Sequence, residues 1–311
     1  MGKYVNTLGT ALMKIGFLCP GQASQKVGMG LDLYEKTELG KKYFDIANEI
    51  MGLDIQKIIF DGPDERLKET RYTQPAIYIV SVIVGELLIE KGINPTYAAG
   101  HSLGEYSALV SSNVLSFEDA LKIIKVRALK MQNAGDENPG GMLAIIGANK
   151  DQINNICIQG DILVAANYNA PEQVVLSGDT KSINNAVDFC KKIGIRRAIP
   201  LKTSGAFHSP LMKSARDSLL EIIESIRFNN ASIPIYQNTK PLAETDGNKI
   251  KKNLIDQLEN PVYWSTIICN MNKDNNDKDF IEVGPGNVLY KLNKKILKKS
   301  NTLTFNMINL G

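Results

Sequence analysis

The chain has 311 residues, of which 43% are hydrophobic and 22% are charged, and its formal net charge is +3. This is the composition of an ordinary globular protein, and the chain is long enough to bury a core without a disulfide or metal staple. The small net charge gives no reason to expect a nucleic-acid partner. Because no apolar run of 18 residues lacks a charge, none is expected to span a membrane.

The four cysteines lie far apart and form no C-x-x-C pair. This spacing argues against a zinc site and indicates reduced thiols, so we expect a cytoplasmic protein without a metal site. Residues 1–12 are interpreted as an N-terminal extension, with Met13 as an alternative start, and no function is assigned to them.

The first elements alternate between strand and helix. Residues 13–19 are apolar and end at a Pro-Gly turn, which predicts a buried strand. A helix is predicted from about Pro75 to Gly92, with Thr73 as its cap, and its apolar residues cover several faces, so it should be deeply buried. A short strand at residues 96–99 follows.

A serine between two glycines comes directly after that strand, in the sequence GHSLG at residues 100–104. The residues after it favour a helix. Strand, glycine-flanked serine and helix therefore come in the order of a nucleophile elbow, in which a sharp turn presents the serine hydroxyl of Ser102. An ordinary glycine-rich turn is the alternative interpretation of the same residues.

The chain changes character at residues 135–141, where glycine, proline and acidic residues predict a linker. The preceding helix is predicted to begin at a Ser116 capping box and to end near Asn133. Beyond the linker the pattern is strand, helix, strand, strand, helix, strand, as in a ferredoxin-like unit. We therefore predict a small ferredoxin-like domain at residues 138–205, inserted into a larger α/β domain formed by residues 13–137 and 206–311.

The scarcity of histidine narrows the choice of a base for Ser102, because the chain has only two. His101 is adjacent to the serine and should point away from it across a sharp turn, which leaves His208. A serine hydroxyl is a weak nucleophile until a base takes its proton, and such partners meet through the fold. A structural role is the alternative for His208. No acidic residue stands out as a third member, although a backbone carbonyl can also orient an imidazole.

Arg127 is one of seven arginines in a chain with 29 lysines. It lies on or beside the apolar stripe of its predicted helix, where a guanidinium needs a partner. Its planar fork matches a carboxylate, so one hypothesis is a clamp for a substrate carboxylate. An intramolecular salt bridge and a snorkelling side chain are the alternatives.

Gln22 follows the first predicted strand, and ligands of parallel α/β sheets gather beyond the carboxyl ends of strands. Its backbone N–H and that of Leu103, after the serine, are candidates for an oxyanion hole. A turn without function is the alternative for the Gln22 stretch.

Eight motifs in order resemble the malonyl-CoA:acyl-carrier-protein transacylase family and the related acyltransferase domains of polyketide synthases. They span the chain from about Met13 onward: PGQASQKVGMG, TQPA, GHSLGEYSALV, KVRALKMQ, NYNAPEQVVLSG, AFHSPLM, QLENPVYW and IEVGPGNVL. The resemblance implies an α/β-hydrolase-like large domain with a parallel sheet and a ferredoxin-like insert.

The resemblance also implies a ping-pong reaction for fatty acid biosynthesis that needs no cofactor, since the phosphopantetheine group belongs to the carrier protein. Ser102 attacks malonyl-CoA, and the resulting malonyl-serine passes its malonyl group to the phosphopantetheine thiol of an acidic acyl carrier protein. His208 serves as base and then acid. Arg127 holds the malonyl carboxylate, and the backbones of Gln22 and Leu103 form the oxyanion hole.

Further positions follow from the same resemblance. Gln257 matches the residue whose main-chain carbonyl orients the histidine, and Phe207 and Leu103 are typical of malonyl rather than methylmalonyl enzymes. Ala23 departs from the family pattern, since glycine is usual there. A basic rim for the acidic carrier, with solvated surface as its alternative, is expected at Lys191, Lys192, Arg196 and Arg197.

Other functions remain open from the sequence. A serine thioesterase or esterase uses the same elbow but gives no reason for Arg127 on an apolar face. A polyketide-type acyltransferase is a variant of the leading hypothesis. A non-catalytic acyl-CoA or carrier-binding subunit has no use for Ser102, His208 and Arg127 together. The protein is expected to be a monomer.

Overall fold

The computed structural model describes residues 14–275 and 279–308, and within them the chain forms a mixed α/β fold with two sheets. The predicted extension at residues 1–12 lies outside the described residues. The strands are β1 (Gly16–Cys19), β2 (Tyr97–Gly100), β3 (Gly140–Ile146), β4 (Leu163–Ala170), β5 (Gln173–Asp179), β6 (Arg197–Leu201), β7 (Ile235–Tyr236), β8 (Ala243–Glu244), β9 (Asp279–Glu282) and β10 (Asn301–Thr304).

The α-helices occupy the segments between these strands. They are α1 (Leu31–Lys36), α2 (Glu38–Met51), α3 (Ile55–Asp61), α4 (Asp64–Leu67), α5 (Thr70–Glu90), α6 (Gly104–Ser111), α7 (Phe117–Glu137), α8 (Lys150–Cys157), α9 (Thr180–Lys192), α10 (Lys213–Ser225), α11 (Gly247–Asp256), α12 (Trp264–Asn275) and α13 (Val288–Ile296). Short 3₁₀ turns lie at Pro210–Met212 and Phe305–Met307.

The larger sheet has the strand order β10-β9-β1-β2-β7-β8, and all its pairs are parallel except the one between β7 and β8. All residues of β1 and β2 are buried, as expected for central parallel strands. The register pairs Cys19 with Gly100 at the carboxyl ends of β1 and β2. The loops that carry Gln22 and Ser102 therefore leave neighbouring strands at the same edge of the sheet.

The long apolar helix α5 begins at Thr70, so the predicted start near Pro75 with Thr73 as cap is wrong. Thr73 instead donates its hydroxyl to the Leu67 carbonyl, and Pro75 lies inside the helix. Burial on all sides outweighs the local cost of the proline. The helix is long and apolar enough to cross a membrane by composition, but 83% of that stretch is buried inside the protein. It is a core helix.

The smaller sheet is antiparallel, with the order β4-β5-β3-β6. Helices α8 and α9 cover one face of it, where Leu143 and Ile145 pack against Ile153 and Ile183. The predicted succession of strands and helices is observed. Hydrogen bonds of 2.8 Å and 2.9 Å join β4 to the Val262 backbone, just before α12.

Helix α7 extends to Glu137, beyond its predicted end near Asn133. The predicted linker is therefore short. Gly135, which suggested a break, is helical and packs closely instead: a Cβ there would lie 2.1 Å from the Ser204 carbonyl oxygen. This glycine is required for the approach of two chain segments rather than for a turn.

Candidate active site

Ser102 lies in a sharp turn between β2 and α6, with φ of +51°. The two flanking glycines have no room for side chains. A Cβ on Gly100 would lie 1.9 Å from the Gly104 carbonyl carbon, and a Cβ on Gly104 would lie 1.9 Å from the Cys19 carbonyl oxygen. The turn is therefore a glycine-dependent elbow packed against the end of β1, as the nucleophile hypothesis requires.

The hydroxyl of Ser102 contacts His208, 106 residues further along the chain. The distance from Ser102 Oγ to His208 Nε2 is 2.8 Å. His208 Nδ1 lies 2.9 Å from the Gln257 carbonyl oxygen and 3.1 Å from that of Asn260. Because carbonyl oxygens only accept, Nδ1 carries the proton and Nε2 is free to accept from the serine. The arrangement can deprotonate Ser102.

The protonation state of His208 suits a base. The side chain is 3% exposed. Burial, reinforced by the positive charge of Arg127, lowers the pKa of His208 to about 3. The imidazole is therefore neutral near pH 7, and its Nε2 lone pair is available.

His101 points away from Ser102, as predicted. Its Nε2 lies 2.7 Å from the Asn169 Oδ1 on β4, and its ring centroid is 5.5 Å from that of Trp264. The residue beside the nucleophile thus contacts the smaller sheet, and His208 is the histidine at the serine.

Arg127 is fully buried on α7, and all its hydrogen bonds go to neutral oxygens. Nη1 donates to Gln74 Oε1 at 2.6 Å, whereas Nη2 donates to Gln257 Oε1 at 3.0 Å and to Ser102 Oγ at 3.2 Å. Across residues 14–275 and 279–308, no carboxylate forms a salt bridge with it. Neither the snorkelling nor the salt-bridge alternative therefore accounts for this residue. A buried guanidinium that lies beside a serine hydroxyl and forms no salt bridge can accept a ligand carboxylate.

The candidate oxyanion-hole residues flank the same edge of the larger sheet. Gln22 is half-buried and Leu103 is 1% exposed. In the described part of the chain neither backbone N–H donates a hydrogen bond, so both remain available to a ligand oxygen. Phe207, next to His208, is 5% exposed and packs in the main core.

Two glutamines shape the site in ways that sequence reasoning did not foresee. The Gln74 side chain, from the TQPA motif, contacts Arg127 and also Gln22, its Nε2 lying 3.3 Å from Gln22 Oε1. The Gln257 side chain donates to the Ser102 carbonyl at 3.0 Å and accepts from Arg127. Gln257 thus contacts serine, histidine and arginine together. The available signal for Gln74 was an amide next to the predicted start of a long, mainly apolar helix.

The fold and this constellation define a class of protein, the acyltransferases. The Acyl transferase domain family matches residues 16–308, and the chain belongs to this family.

Relatives extend over nearly the whole chain. A malonyl CoA-acyl carrier protein transacylase of Bacillus subtilis is 40% identical over 296 residues, 94% of this chain and 93% of the relative. One from Haemophilus influenzae is 38% identical over 300 residues, covering 95% of this chain and 96% of the relative.

Solved structures agree with the sequence relatives. The acyl carrier protein S-malonyltransferase of Vibrio cholerae has a TM-score of 0.88 at 39% identity, covering 94% of this chain and 96% of that one. A malonyl-transacylase in complex with a type II PKS acyl-carrier protein has a TM-score of 0.88 at 35% identity, covering 94% and 95%.

Proposed function

We propose that this protein transfers the malonyl group of malonyl-CoA to the phosphopantetheine thiol of an acyl carrier protein, through a malonyl-Ser102 intermediate, for fatty acid biosynthesis. The observation that carries the proposal is Arg127: a fully buried cation, bonded to neutral groups, whose Nη2 touches the nucleophile. The named activity of relatives at 38–40% identity supports it.

In the first half-reaction, His208 Nε2 takes the hydroxyl proton while Ser102 Oγ bonds to the thioester carbonyl carbon. The carbonyl oxygen becomes an oxyanion, for which the N–H groups of Gln22 and Leu103 are the proposed donors. Collapse breaks the carbon–sulfur bond, and the imidazolium of His208 protonates the leaving thiolate of CoA. The Gln257 carbonyl, 2.9 Å from Nδ1, stabilises that imidazolium.

The second half-reaction reverses these steps with a different thiol. His208 takes the proton of the phosphopantetheine thiol, and the sulfur attacks the malonyl-serine carbonyl. Ser102 leaves and regains its proton from the imidazolium. Arg127 holds the malonyl carboxylate in both halves, while Gln74 and Gln257 keep its guanidinium in place. The reaction needs no cofactor beyond the group that the carrier brings.

The direct test is the intermediate. Incubation with malonyl-CoA is expected to leave a malonyl adduct on Ser102, detected by intact mass and peptide mapping, which Ser102→Ala removes. A wild-type protein that forms no adduct would refute the proposal. Release of malonate as fast without carrier protein as with it would indicate the thioesterase instead. Transfer to a polyketide-type carrier in preference to a fatty-acid carrier would indicate the polyketide alternative, which the PKS complex among the neighbours makes worth measuring.

The carrier protein is proposed to dock on the basic rim, extended along β6. Residues 189–216, a segment that includes His208, contain seven lysines or arginines and no acidic residue. Lys191 pairs with Asp188, but the exposed Arg196 and Arg197 form no ion pair with the described residues. Beside them, Ile199 and Leu201 are 47% and 39% exposed. A basic edge strand with apolar side chains suits an acidic protein partner.

The finer description of the fold is also a proposal. The order β4-β5-β3-β6 and its alternation with α8 and α9 support a ferredoxin-like domain at residues 138–205. The larger parallel sheet with its serine elbow supports an α/β-hydrolase-like domain made of the remaining residues.

Four cysteines that form no disulfide support a cytoplasmic location.

A further inference from the structure

A buried amide that plays no part in the mechanism above, Asn238, is bonded to the chain on both sides of His101. It follows β7 and is fully buried. Its Oδ1 accepts from the Ser102 N–H at 2.7 Å, and its Nδ2 donates to the Gly100 carbonyl at 2.6 Å. One side chain therefore links the last residue of β2 to the nucleophile.

Asn238 is itself held by a buried carboxylate, Glu105, on the first turn of α6. The Asn238 N–H donates to Glu105 Oε2 at 2.8 Å, and Gln237 Nε2 donates to Oε1 at 3.0 Å. Glu105 is fully buried and forms no salt bridge within the described chain. Burial raises the pKa of Glu105 to about 7, and the hydrogen bonds from Asn238 and Gln237 and the charge of Arg127 oppose that rise. A buried carboxyl group without a salt bridge is costly for stability, so its presence at the elbow calls for a functional reason.

Two properties of the elbow supply that reason. Ser102 has φ of +51°, a conformation that is unfavourable for a non-glycine residue and persists only where the surroundings impose it. The turn also leaves the N–H groups of Ser102 and Leu103 without a backbone acceptor. Asn238 takes that of Ser102, whereas that of Leu103 stays free for a ligand oxygen.

We propose that Asn238, fixed by Glu105, is a positioning residue: it holds Ser102 in its left-handed conformation with Oγ on His208 and leaves the Leu103 N–H as the oxyanion donor. This inference rests on the proposed function only for the identity of the acyl group. Asn238 acts through the backbone of Ser102 and has no hydrogen bond to Arg127. Its loss should therefore slow acylation without weakening capture of the malonyl carboxylate.

The test uses the full-length protein and the variants Asn238→Ala and Glu105→Gln, with Asn270→Ala as matched control. Asn270 makes a similar bond, from Nδ2 to the Pro241 carbonyl at 2.6 Å, away from the serine. Asn238→Ala is expected to lower kcat for malonyl transfer about 100-fold, since displacing a reacting group by about 1 Å has this effect. The malonyl-CoA KM should change by less than about threefold. Glu105→Gln, which retains one acceptor oxygen, should lower kcat about 10-fold.

A second substrate separates this inference from the proposed function. Acylation of Ser102 by p-nitrophenyl acetate needs the elbow but no malonyl group, and Asn238→Ala should slow it in parallel. If wild-type protein reacts with the ester and not with malonyl-CoA, the proposed function fails. The positioning role is then decided by the rates at which the variants react with the ester. The positioning role is overturned by acylation in Asn238→Ala within about threefold of wild type, or by an equal loss in Asn270→Ala at the same Tm. If Asn238→Ala does not fold, an unchanged kcat in folded Glu105→Gln overturns it.

Discussion

The Nη2 atom of Arg127 lies 3.2 Å from the Oγ of Ser102, so a fixed positive charge sits directly beside the nucleophile. The charge favours the serine alkoxide as it forms, and it also helps to lower the pKa of His208. Its burial without a salt bridge is unfavourable until a ligand brings an anion. Under the proposed function, the malonyl carboxylate is that anion and completes an ion pair with Arg127 in the substrate complex.

Replacing this arginine should therefore change acyl selectivity. Arg127→Ala is expected to lower the rate of Ser102 acylation by malonyl-CoA about 100-fold or more, because truncating one partner of a buried charge pair costs about 2–5 kcal/mol. Acylation by acetyl-CoA should persist or rise, since acetyl has no carboxylate. Intact-mass time courses with the two thioesters measure both rates. Equal loss with both would mean that Arg127 is structural.

The residues that sequence reasoning located are those whose chemistry is scarce in this chain. His208 is one of only two histidines, Arg127 is one of seven arginines and lies on an apolar helix face, and the glycines around Ser102 mark the turn. Gln74 and Asn238 did not stand out, because amides are frequent and their roles depend on partners that only the tertiary fold brings together. The orienting carbonyl at Gln257 came from family resemblance, since any residue has a carbonyl.

Some elements of the fold, like some residues of the site, can be predicted from the sequence, and others cannot. Strong local patterns predicted β1, β2 and the succession of elements from β3 to β6. Helix α5 begins five residues before Pro75 because deep burial overrides a local helix breaker. Strands β7 and β8 have two residues each, too few for a period, and are defined only by pairing at the sheet edge.

Ala23, where the family usually has glycine, has φ of +78°. This conformation is unfavourable for alanine and open to glycine, although glycine also gains entropy in the unfolded chain. Ala23→Gly is expected to raise the free energy of unfolding by up to about 1 kcal/mol, measured by urea denaturation. Asn113→Gly, at φ of +58°, is the control and should gain less, because asparagine tolerates this region. A lower stability in Ala23→Gly would contradict the expectation.

Because His208 is neutral in the folded protein, we expect the free energy of unfolding to depend on pH. Its pKa falls from 6.5 in an exposed imidazole to about 3 in the fold. Below about pH 6.5 the unfolded chain takes up a proton at His208 that the native site rejects, so the contribution of His208 to stability declines as the pH falls, by at most about 1.4 kcal/mol per pH unit. His208→Asn has no such group and accepts the positive φ of this position.

The measurement is the difference in unfolding free energy between wild type and His208→Asn from about pH 7 to about pH 4. The other titratable groups are the same in both proteins, so their contributions to the unfolding free energy largely cancel in the difference. The difference should shift steadily in favour of the variant as the pH is lowered. A difference independent of pH would mean that the native imidazole takes up its proton as an exposed one does.

The docking proposal predicts an effect on one half-reaction only. Arg196→Glu combined with Arg197→Glu reverses two exposed charges at the start of β6, whereas the reacting atoms are unchanged. Malonyl-CoA should load Ser102 at the wild-type rate. Transfer from malonyl-enzyme to holo-carrier protein should fall at least about 10-fold in kcat/KM, since charged rims act mainly on association.

Three comparisons make this result specific. Lys181→Glu reverses a charge on the same small sheet unit, at the other end of α9, where the side chain is 79% exposed, and it should leave both half-reactions unchanged. Free pantetheine, which needs no docking surface, should accept malonyl equally well from wild type and from the double variant. The wild-type rate with carrier protein should fall as salt is raised, because exposed charges are screened within about 10 Å at 0.1 M salt, and the double variant should lose that dependence. Loss of malonyl-CoA loading in the double variant would place these arginines at the CoA rather than at the carrier, and an undiminished transfer rate would move the docking surface away from β6.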